Sequence, residues 1–276
     1  MKILISSHAF SPSIGGIETV SALLASEFVC LGHEVALVTQ TPGESEDISP
    51  FRILRRPSLG KLWRALKWCD IFWQNNLSLR TFWPGWVLRV PTVITHQGSY
   101  CRRPVGLDLV QRFKHAVVKC TTSIAISRAV ADCFGVRSRI VPNPFDAGLF
   151  AFGQPIVQRP NDLIFVGRLV AEKGLDVLVG ALAELRSRNI CPRLTIVGIG
   201  PELAPTENLA TQLGLRDQIA FAGALRGSAL AEIMRQHKIL IVPSRYAEPF
   251  GVVALEGIAS GCVVVGSNRG GLPEAI

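Results

Sequence analysis

Short apolar segments alternate with amphipathic segments along the chain, and this alternation restricts the fold more than any other feature. Residues 2–6 (KILIS) have the composition of a strand, residues 17–31 place apolar side chains at helical spacing, and residues 34–39 (EVALVT) are again strand-like. A strand, a helix and a strand in close succession predict a right-handed βαβ unit and therefore a parallel sheet. Ligands of such sheets bind at the carboxyl ends of the strands.

The alternation is interrupted once and then restarts. Residues 151–160 contain two prolines and few large apolar side chains, and the strand-helix pattern resumes directly after them. We therefore predict two tandem Rossmann-like, doubly wound α/β domains, 1–154 and 161–276, joined by a linker at 155–160 and facing each other across a cleft. The last predicted helix has only begun at Ile276, so we expect the second domain to be incomplete.

Composition excludes some classes of protein. The 276 residues are 48% apolar and 18% charged, which argues against a disordered chain. The seven cysteines are scattered and form no CxxC pair, so neither a disulfide framework nor a zinc site is indicated, and a cytoplasmic location is expected.

The positive charge is unevenly distributed. Residues 1–155 have 17 basic and 10 acidic side chains, net +7, whereas residues 156–276 have 12 and 11, net +1. This asymmetry favours an anionic partner such as a membrane surface, although solubility alone is an alternative explanation. Nucleic acid is not expected, because the basic stretches match no recognition motif.

Much of this charge lies in residues 51–68, which contain six Lys and Arg side chains, no acidic one, and Trp63 and Trp68. A stretch of this type could lie on an anionic lipid surface with its aromatic groups at headgroup level. The alternative is a solvated helix whose Trp and Leu side chains pack inward. Trp83 and Trp86, in a segment interrupted by a Pro-Gly pair, could also be peripheral.

Residues 242–256 (VPSRYAEPFGVVALE) combine a strand, a turn and a helix with two carboxylates. Pro249 suits a first helical position, which predicts Glu248 as the helix cap and places Glu256 about 12 Å further along the same axis. Free amides in the first turn would bind an anion between the two carboxylates. The alternative is that one glutamate is a simple cap and the other a solvated helix residue.

The first half of the chain offers two candidate features at the carboxyl edge of its sheet. Gly15 and Gly16 open a helix, where they would allow a ligand or the other domain to come close to the backbone; a tight turn is the alternative. His96 follows a predicted strand and could hydrogen-bond a ligand, although a lone His in a loop is more often structural. The absence of a GxGxxG fingerprint argues against nicotinamide and flavin cofactors.

Five separated motifs, in the same order, make the sequence resemble the retaining, nucleotide-sugar-dependent glycosyltransferases of GT-B fold, and among them glycosyltransferase family 4, of the group 1 type. The motifs are GGIE at 15–18, the His96 segment, PN followed by D at 142–146, GRLVAEKG at 167–174 and EPFGVVALE at 248–256. The resemblance covers nearly the whole chain and is most convincing from Leu163 onward.

The resemblance implies roles for the matching positions. Arg168 and Lys173 would neutralise the donor diphosphate, which agrees with the chemistry of a guanidinium fork and an ammonium point charge. Glu256 would accept hydrogen bonds from the ribose and Glu248 from the transferred sugar, which His96 would face from the first domain. The remaining predicted contacts with the donor are Gly15, Gly16, Gly167, Phe250, Gly251 and Val252.

The expected activity is transfer of a hexose from a nucleotide-diphosphate sugar to a hydroxyl acceptor, with retention, without a metal or other cofactor. The expected acceptor is a lipid-linked or surface glycan at the inner face of the membrane, where the protein would be peripheral. The alternative is a truncated, non-catalytic paralogue that binds a nucleotide or a partner. One departure from the family pattern is Pro144, where the usual motif reads PNGVD, and it argues against a ligand role for Asn143.

Overall fold

The computed structural model describes residues 1–13, 15–43, 49–98, 109–134 and 138–276, which form two compact units, Met1–Pro144 and Phe145–Ile276. Each unit has its own parallel sheet with helices between the strands. The predicted fold class, two doubly wound parallel-sheet α/β domains, is therefore confirmed.

The first unit has seven strands among its described residues, and all of their pairings are parallel. The strands are β1 (Lys2–Ser7), β2 (Glu34–Thr39), β3 (Arg52–Arg55), β4 (Ile71–Asn75), β5 (Thr92–His96), β6 (Thr122–Ala125) and β7 (Arg139–Ile140). The helices are α1 (Gly16–Cys30), α2 (Leu59–Trp68), α3 (Leu79–Val87), α4 (Leu109–Lys119) and α5 (Arg128–Phe134). The strand order is β3-β2-β1-β4-β5-β6-β7, which reverses direction between β1 and β4, the place where sheets of this kind form a ligand crevice.

Both faces of this sheet are buried. On one face Ile5 and Leu37 pack with Trp73, whose ring meets Phe28 of α1 edge to face at 6.1 Å. On the other face a second cluster contains Leu4 and, from α2, Leu62 and Leu66. Burial on both sides explains why these strands read as continuous apolar runs rather than as alternating patterns.

The second unit has five strands in the order β10-β9-β8-β11-β12, again with every pairing parallel. They are β8 (Asn161–Val166), β9 (Leu194–Val197), β10 (Ile219–Gly223), β11 (His237–Val242) and β12 (Val263–Gly266). The helices are α6 (Leu175–Ser187), α7 (Leu203–Gln212), α8 (Gly227–Arg235), α9 (Val252–Ala259) and α10 (Leu272–Ala275). Phe165, Leu182 and Ile196 belong to one buried cluster that holds α6 and α7 to the sheet.

The basic stretch 51–68 is not one helix. It forms the strand β3, a turn in which Arg56 has a φ of 42°, and then α2, capped by the Ser58 hydroxyl, which accepts a hydrogen bond from the Lys61 amide at 3.4 Å. Trp63 and Trp68 are half-buried. The tryptophans of this stretch therefore contribute mainly to packing.

Helix α3 continues through Pro84 and Gly85, where the sequence predicted an interruption. The proline removes one helix hydrogen bond, but both residues are buried. A Cβ on Gly85 would lie 3.1 Å from the Phe72 ring, so this glycine lets α3 pack closely on the sheet. Packing against the sheet therefore keeps the segment helical, although Pro84 and Gly85 disfavour a helix locally.

Arg159 anchors part of the predicted linker within the second unit. Its side chain is 2% exposed and donates hydrogen bonds to the carbonyl oxygens of Gln154, His237 and Ser260 at 2.7–3.2 Å. A buried cation needs such acceptors, and here backbone carbonyls supply them.

The cysteines include one disulfide, at Cys133, whose spacing gave no signal for it. Cys30, Cys69, Cys120, Cys191 and Cys262 are free thiols. In the part of the chain that the structure describes, no helix combines the length and the hydropathy needed to cross a bilayer.

Candidate functional site

Three loops meet at the carboxyl edge of the second sheet, because β9, β8 and β11 are neighbours. The first follows β8 and leads through Arg168 to a single 3-10 turn, Ala171–Lys173. The second follows β11 and contains Glu248, and the third is the glycine-rich loop after β9. Side chains far apart in sequence are brought together at this edge.

Glycines fix how closely the loops after β8 and β9 approach each other. The Gly167 amide donates to the Val197 carbonyl at 3.0 Å, and the Leu169 amide donates to the Ile199 carbonyl at 2.9 Å. Gly198 has a φ of 149°, and a Cβ there would lie 1.9 Å from the Gly167 oxygen. The loop at 198–202 therefore supports the segment that carries Arg168.

Glu248 is the centre of the site. Its side chain is 7% exposed, and its carboxylate accepts hydrogen bonds from the Lys173 ammonium at 2.5 Å, the Ser244 hydroxyl at 2.6 Å and the Tyr246 hydroxyl at 2.5 Å. Burial raises the pKa of Glu248, but the charge of Lys173 and the three hydrogen bonds outweigh burial, so the pKa lies below its usual value. The carboxylate is ionised at neutral pH.

Tyr246 links the carboxylate and the cation. The Lys173 ammonium lies 3.4 Å from the Tyr246 hydroxyl and 5.3 Å from the centre of its ring. Burial and the charge of Glu248 raise the pKa of Tyr246, whereas the charge of Arg168 lowers it. The phenol therefore stays protonated and remains a donor.

Ser244 and Tyr246 were not among the predicted site residues. Both stand within four residues of Glu248 in the sequence, and that proximity was the only available signal. Their hydrogen bonds depend on how the loop after β11 folds back, which spacing alone does not reveal.

The prediction that Glu248 caps a helix starting at Pro249 is wrong. Helix α9 starts at Val252, and its N-cap is Gly251, which adopts a left-handed φ of 101°. A Cβ on Gly251 would lie 2.6 Å from the Leu272 side chain. The left-handed backbone and this lack of space both require a glycine at the position. The two glutamates do not share one helix, and the span of about 12 Å derived from a common axis does not apply.

Glu248 is held instead by a contact with a distant segment. It pairs with Gly270 in a parallel bridge, and the Gly271 amide donates to its carbonyl at 2.7 Å. Gly270 has a φ of 63°, and a Cβ there would lie 2.3 Å from the Glu248 oxygen. The GGLPE sequence thus positions the Glu248 backbone.

Glu256 lies in α9 and is half-buried. Within the described residues, no hydrogen bond or ion pair to its carboxyl group is present. Burial raises the pKa of Glu256 from its ordinary value of 4.5 to about 7. The carboxyl group of Glu256 therefore titrates closer to neutral pH than an ordinary glutamate.

Replacement of Glu256 by glutamine is expected to stabilise the second unit at pH 8 by up to about 3 kcal/mol and to change little near pH 4.5. The folded-state pKa is raised, so the stabilising contribution of the protonated carboxyl is complete below pH 4.5 and is lost as the pH rises through about 7. Urea unfolding of both proteins at pH 4.5 and pH 8 measures this difference. An equal difference at both pH values would contradict the raised pKa.

The other predicted site residues of the second unit differ in how far they are exposed to solvent. Arg168 is exposed, Gly167, Gly251 and Val252 are half-buried, and the Phe250 side chain is only 3% exposed. Phe250 as a whole is therefore nearly inaccessible to solvent. Within the described residues, no three His, Cys, Asp or Glu side chains are close enough together to bind a metal ion.

The predicted residues of the first unit lie at the carboxyl edge of its own sheet. Gly15 precedes α1, and a Cβ on Gly16 would meet no atom within 4 Å. His96, the last residue of β5, is fully buried, and its Nε2 lies 3.4 Å from the Ser123 hydroxyl.

Asn143 has a structural partner. Its side-chain amide and that of Gln97 exchange two hydrogen bonds, at 2.7 and 2.9 Å, and both side chains are buried. This reciprocal pair ties the end of the first unit to the loop after β5.

Two parallel-sheet α/β units, with a cation-carboxylate cluster at the strand ends of the second, define the GT-B fold class, and the comparisons agree. The profile of Glycosyltransferase Family 4 matches residues 14–149, and that of Glycosyl transferases group 1 matches residues 149–276. The chain belongs to the group 1 glycosyltransferases of GT-B fold.

Relatives and solved structures agree with this assignment. The chain is 35% identical over 196 residues to a D-inositol 3-phosphate glycosyltransferase of Stackebrandtia nassauensis, covering 63% of this chain and 43% of that protein. It is 40% identical over 114 residues to an uncharacterised glycosyltransferase of Methanocaldococcus jannaschii, covering 41% and 29%. The chain therefore matches less than half the length of these relatives.

The similarity to solved structures extends over the whole chain. The HepE protein of Anabaena in complex with UDP superimposes with a TM-score of 0.81 at 21% identity, covering 100% of this chain and 83% of that one. WaaG, a glycosyltransferase involved in lipopolysaccharide biosynthesis, gives a TM-score of 0.73 at 20% identity, covering 99% and 83%. At these identities the similarity establishes the fold.

Proposed function

We propose that the protein transfers a hexose from a nucleotide-diphosphate sugar to a hydroxyl group of an acceptor. The observation that carries this proposal is the buried Glu248 carboxylate, paired with Lys173 beside the exposed Arg168 at the carboxyl edge of the second sheet. A sugar diphosphate presents both an anion and vicinal hydroxyls, and this cluster offers cations for the first and a carboxylate acceptor for the second.

In this proposal Arg168 and Lys173 bind the diphosphate. The anion gains charge as the glycosidic bond breaks, so fixed cations stabilise the transition state more than the ground state. These two side chains supply the positive charge in the proposed mechanism, which is metal-independent. Gly167 has no side chain, so the diphosphate can come close to the backbone next to Arg168.

The two glutamates act as hydrogen-bond acceptors. Glu248 binds hydroxyls of the transferred sugar. The hydrogen bonds that it accepts from Lys173, Ser244 and Tyr246 keep its carboxylate ionised and oriented for this role. Glu256 binds the ribose hydroxyls, which would satisfy a carboxyl group that has no protein partner among the described residues. Gly251 and Val252 line the sugar position near the start of α9.

The first unit supplies the remaining predicted contacts. We propose that Gly15 and Gly16 approach the diphosphate and that His96 lies on the side of the transferred sugar. The open space around a Cβ on Gly16 is consistent with close approach of a ligand.

We propose transfer with retention by attack from the face that the diphosphate leaves. The bond between the anomeric carbon and the phosphate oxygen breaks, the bond from the acceptor oxygen forms, and the acceptor proton passes to the departing phosphate. Lys173 and Arg168 stabilise the diphosphate while it takes up this proton. No protein carboxylate needs to form a covalent intermediate.

The proposed acceptor is a lipid-linked or surface glycan at the inner face of the membrane. Two observations support it: the excess of basic side chains in residues 1–155, and the fold similarity to a protein involved in lipopolysaccharide biosynthesis. UDP-glucose is a natural first probe of the donor site, because HepE was solved in complex with it.

A thermal-shift screen against UDP, GDP and ADP sugars tests the proposal. A ligand at 100 times its Kd should stabilise the protein by about 2.7 kcal/mol, so the correct donor should raise the Tm above the other nucleotides. Release of nucleoside diphosphate in the presence of acceptor is then measured with that donor. Nucleotide binding without any turnover would instead identify a non-catalytic nucleotide-binding protein, and no shift with any nucleotide sugar would refute the proposed donor site.

A further inference from the structure

A groove opens on the first unit at the amino edge of its sheet, away from the strand ends that carry His96. It has a volume of about 700 Å³ and lies between the end of α3, the first residues of β5 and β6, and the end of α4. The residues that line it are Phe82, Trp86, Val87, Arg89, Val90, Thr92, Cys120, Thr121 and Thr122.

An exposed apolar stripe runs along α3, and Trp86 and Val87 of this stripe line the groove. Trp83, Trp86 and Val87 are 45%, 69% and 53% exposed, and their spacing places them on one side of the helix. Phe82 is only 6% exposed and also lines the groove. Tryptophan is enriched at membrane interfaces, because its ring prefers the apolar boundary while its N–H remains near water.

The groove carries positive charge. Arg89 is the charged side chain among its described lining residues, and residues 1–155 as a whole have a net charge of +7. Among the described residues that line the groove, none is acidic. The groove is therefore complementary to an anion and not to a cation.

Arg89 is the charged residue inside the groove. It is exposed, and within the described residues its guanidinium makes no hydrogen bond or ion pair. Its φ is 55°, a left-handed conformation at the end of α3 where glycine is favoured. A non-glycine residue there costs roughly 1–2 kcal/mol.

Two of the three threonines that line the groove donate their hydroxyl protons to backbone carbonyls. Thr92 donates to the Val90 carbonyl at 2.9 Å, and Thr121 donates to the Val117 carbonyl at 3.2 Å. Arg89 is the cationic donor of this groove, next to the apolar surface of Trp86 and Val87.

We infer that this groove docks onto a bilayer that contains anionic phospholipid, with Arg89 at the phosphate and Trp83, Trp86 and Val87 in the interfacial region. This inference deepens the membrane part of the proposed function and is independent of the donor site. It replaces residues 51–68 as the contact surface, because β3 belongs to the sheet and the tryptophans of α2 are half-buried. Docking by the amino edge leaves the carboxyl edge of the same sheet accessible.

The test is flotation with vesicles of phosphatidylcholine alone or mixed with phosphatidylglycerol. The wild-type protein should bind the anionic vesicles preferentially, and phosphatidylglycerol with brominated acyl chains should quench its tryptophan fluorescence. The Trp86→Ser/Arg89→Glu variant should bind at least about tenfold more weakly, since each basic residue near an anionic surface contributes about 1 kcal/mol. Arg89→Lys should retain binding because it keeps the charge.

The matched control is Arg188→Glu/Ile190→Ser on the second unit. Arg188 is 67% exposed and Ile190 is 52% exposed, so this variant makes the same change of charge and also loses an exposed apolar side chain. It should bind vesicles like the wild-type protein, and equal Tm values would show that all variants are folded. The groove variant should also keep the wild-type thermal shift with the nucleotide sugar, which separates the two proposals.

Three results would overturn the inference. One is wild-type binding with no preference for phosphatidylglycerol, and another is equal loss of binding in the groove and control variants. The third is binding of monomeric short-chain phosphatidylglycerol without binding of vesicles, which would make the groove a site for a soluble anionic amphiphile.

Discussion

Replacing Lys173 by alanine is expected to lower donor turnover by roughly 10²–10³-fold, the usual effect of removing one fixed group that stabilises developing charge. The same change removes the cation from the buried Glu248 carboxylate, which would keep only its bonds from Ser244 and Tyr246. The pKa of Glu248 should therefore rise, and activity should decline at a higher pH than in the wild-type protein as the pH is lowered. Steady-state kinetics from pH 5 to pH 8 measures both effects.

Lys238→Ala is the matched control for this prediction. Lys238 forms an ion pair with Asp162 at 3.0 Å in the same unit, but both side chains are more than a third exposed. Exposed pairs contribute little, so turnover and stability should change by less than about 1 kcal/mol. The proposed site would be rejected if Lys173→Ala and Glu248→Ala both left donor turnover at the wild-type level.

Gly270→Ala is expected to destabilise the second unit by roughly 2–4 kcal/mol and to weaken donor binding. The residue has a left-handed φ of 63°, which costs roughly 1–2 kcal/mol for alanine. The added Cβ would also lie 2.3 Å from the Glu248 oxygen and 2.7 Å from the Ala247 carbonyl carbon. Because these atoms belong to the backbone, no rotamer change relieves the overlap, and the segment that carries Glu248 must move.

Gly180→Ala, in the same unit, is expected to raise stability rather than lower it. Gly180 is exposed in the middle of α6, and a Cβ there would meet no atom within 4 Å. Alanine should stabilise the helix by roughly 0.5–1 kcal/mol and leave donor binding unchanged. Urea unfolding and nucleotide-sugar thermal shifts on the two variants test whether the effect of Gly270 is specific to its position.

The order of strands and helices could be predicted from the sequence, because hydrophobic periodicity is a local property. The strands β1 and β2 lie within a residue of the predicted positions. The Arg159 interactions could not be predicted, since its acceptors His237 and Ser260 are distant in the sequence. Burial of this arginine depends on the assembled unit and leaves no local pattern.

The site was predictable only in part, for the same reason. Lys173 and Glu248 stood out in the motifs, but their ion pair spans 75 residues and required the neighbouring positions of β8 and β11. The expectation that Glu248 caps a helix was based on Pro249, which fits a first helical position locally. The left-handed Gly251 delays the helix, and the bridge to Gly270 holds Glu248 in extended backbone, which are tertiary effects.

The proline that follows Asn143 has a chemical consequence for the ageing of the protein. Asparagine deamidates when the backbone nitrogen of the next residue attacks the side-chain carbonyl to close a succinimide ring, and an Asn-Gly sequence is the most susceptible. Here the next residue is Pro144, whose nitrogen has no hydrogen to lose, so this route is blocked. The substitution of proline for the usual glycine thus protects a buried amide whose conversion to a carboxylate would replace a donor with a negative charge.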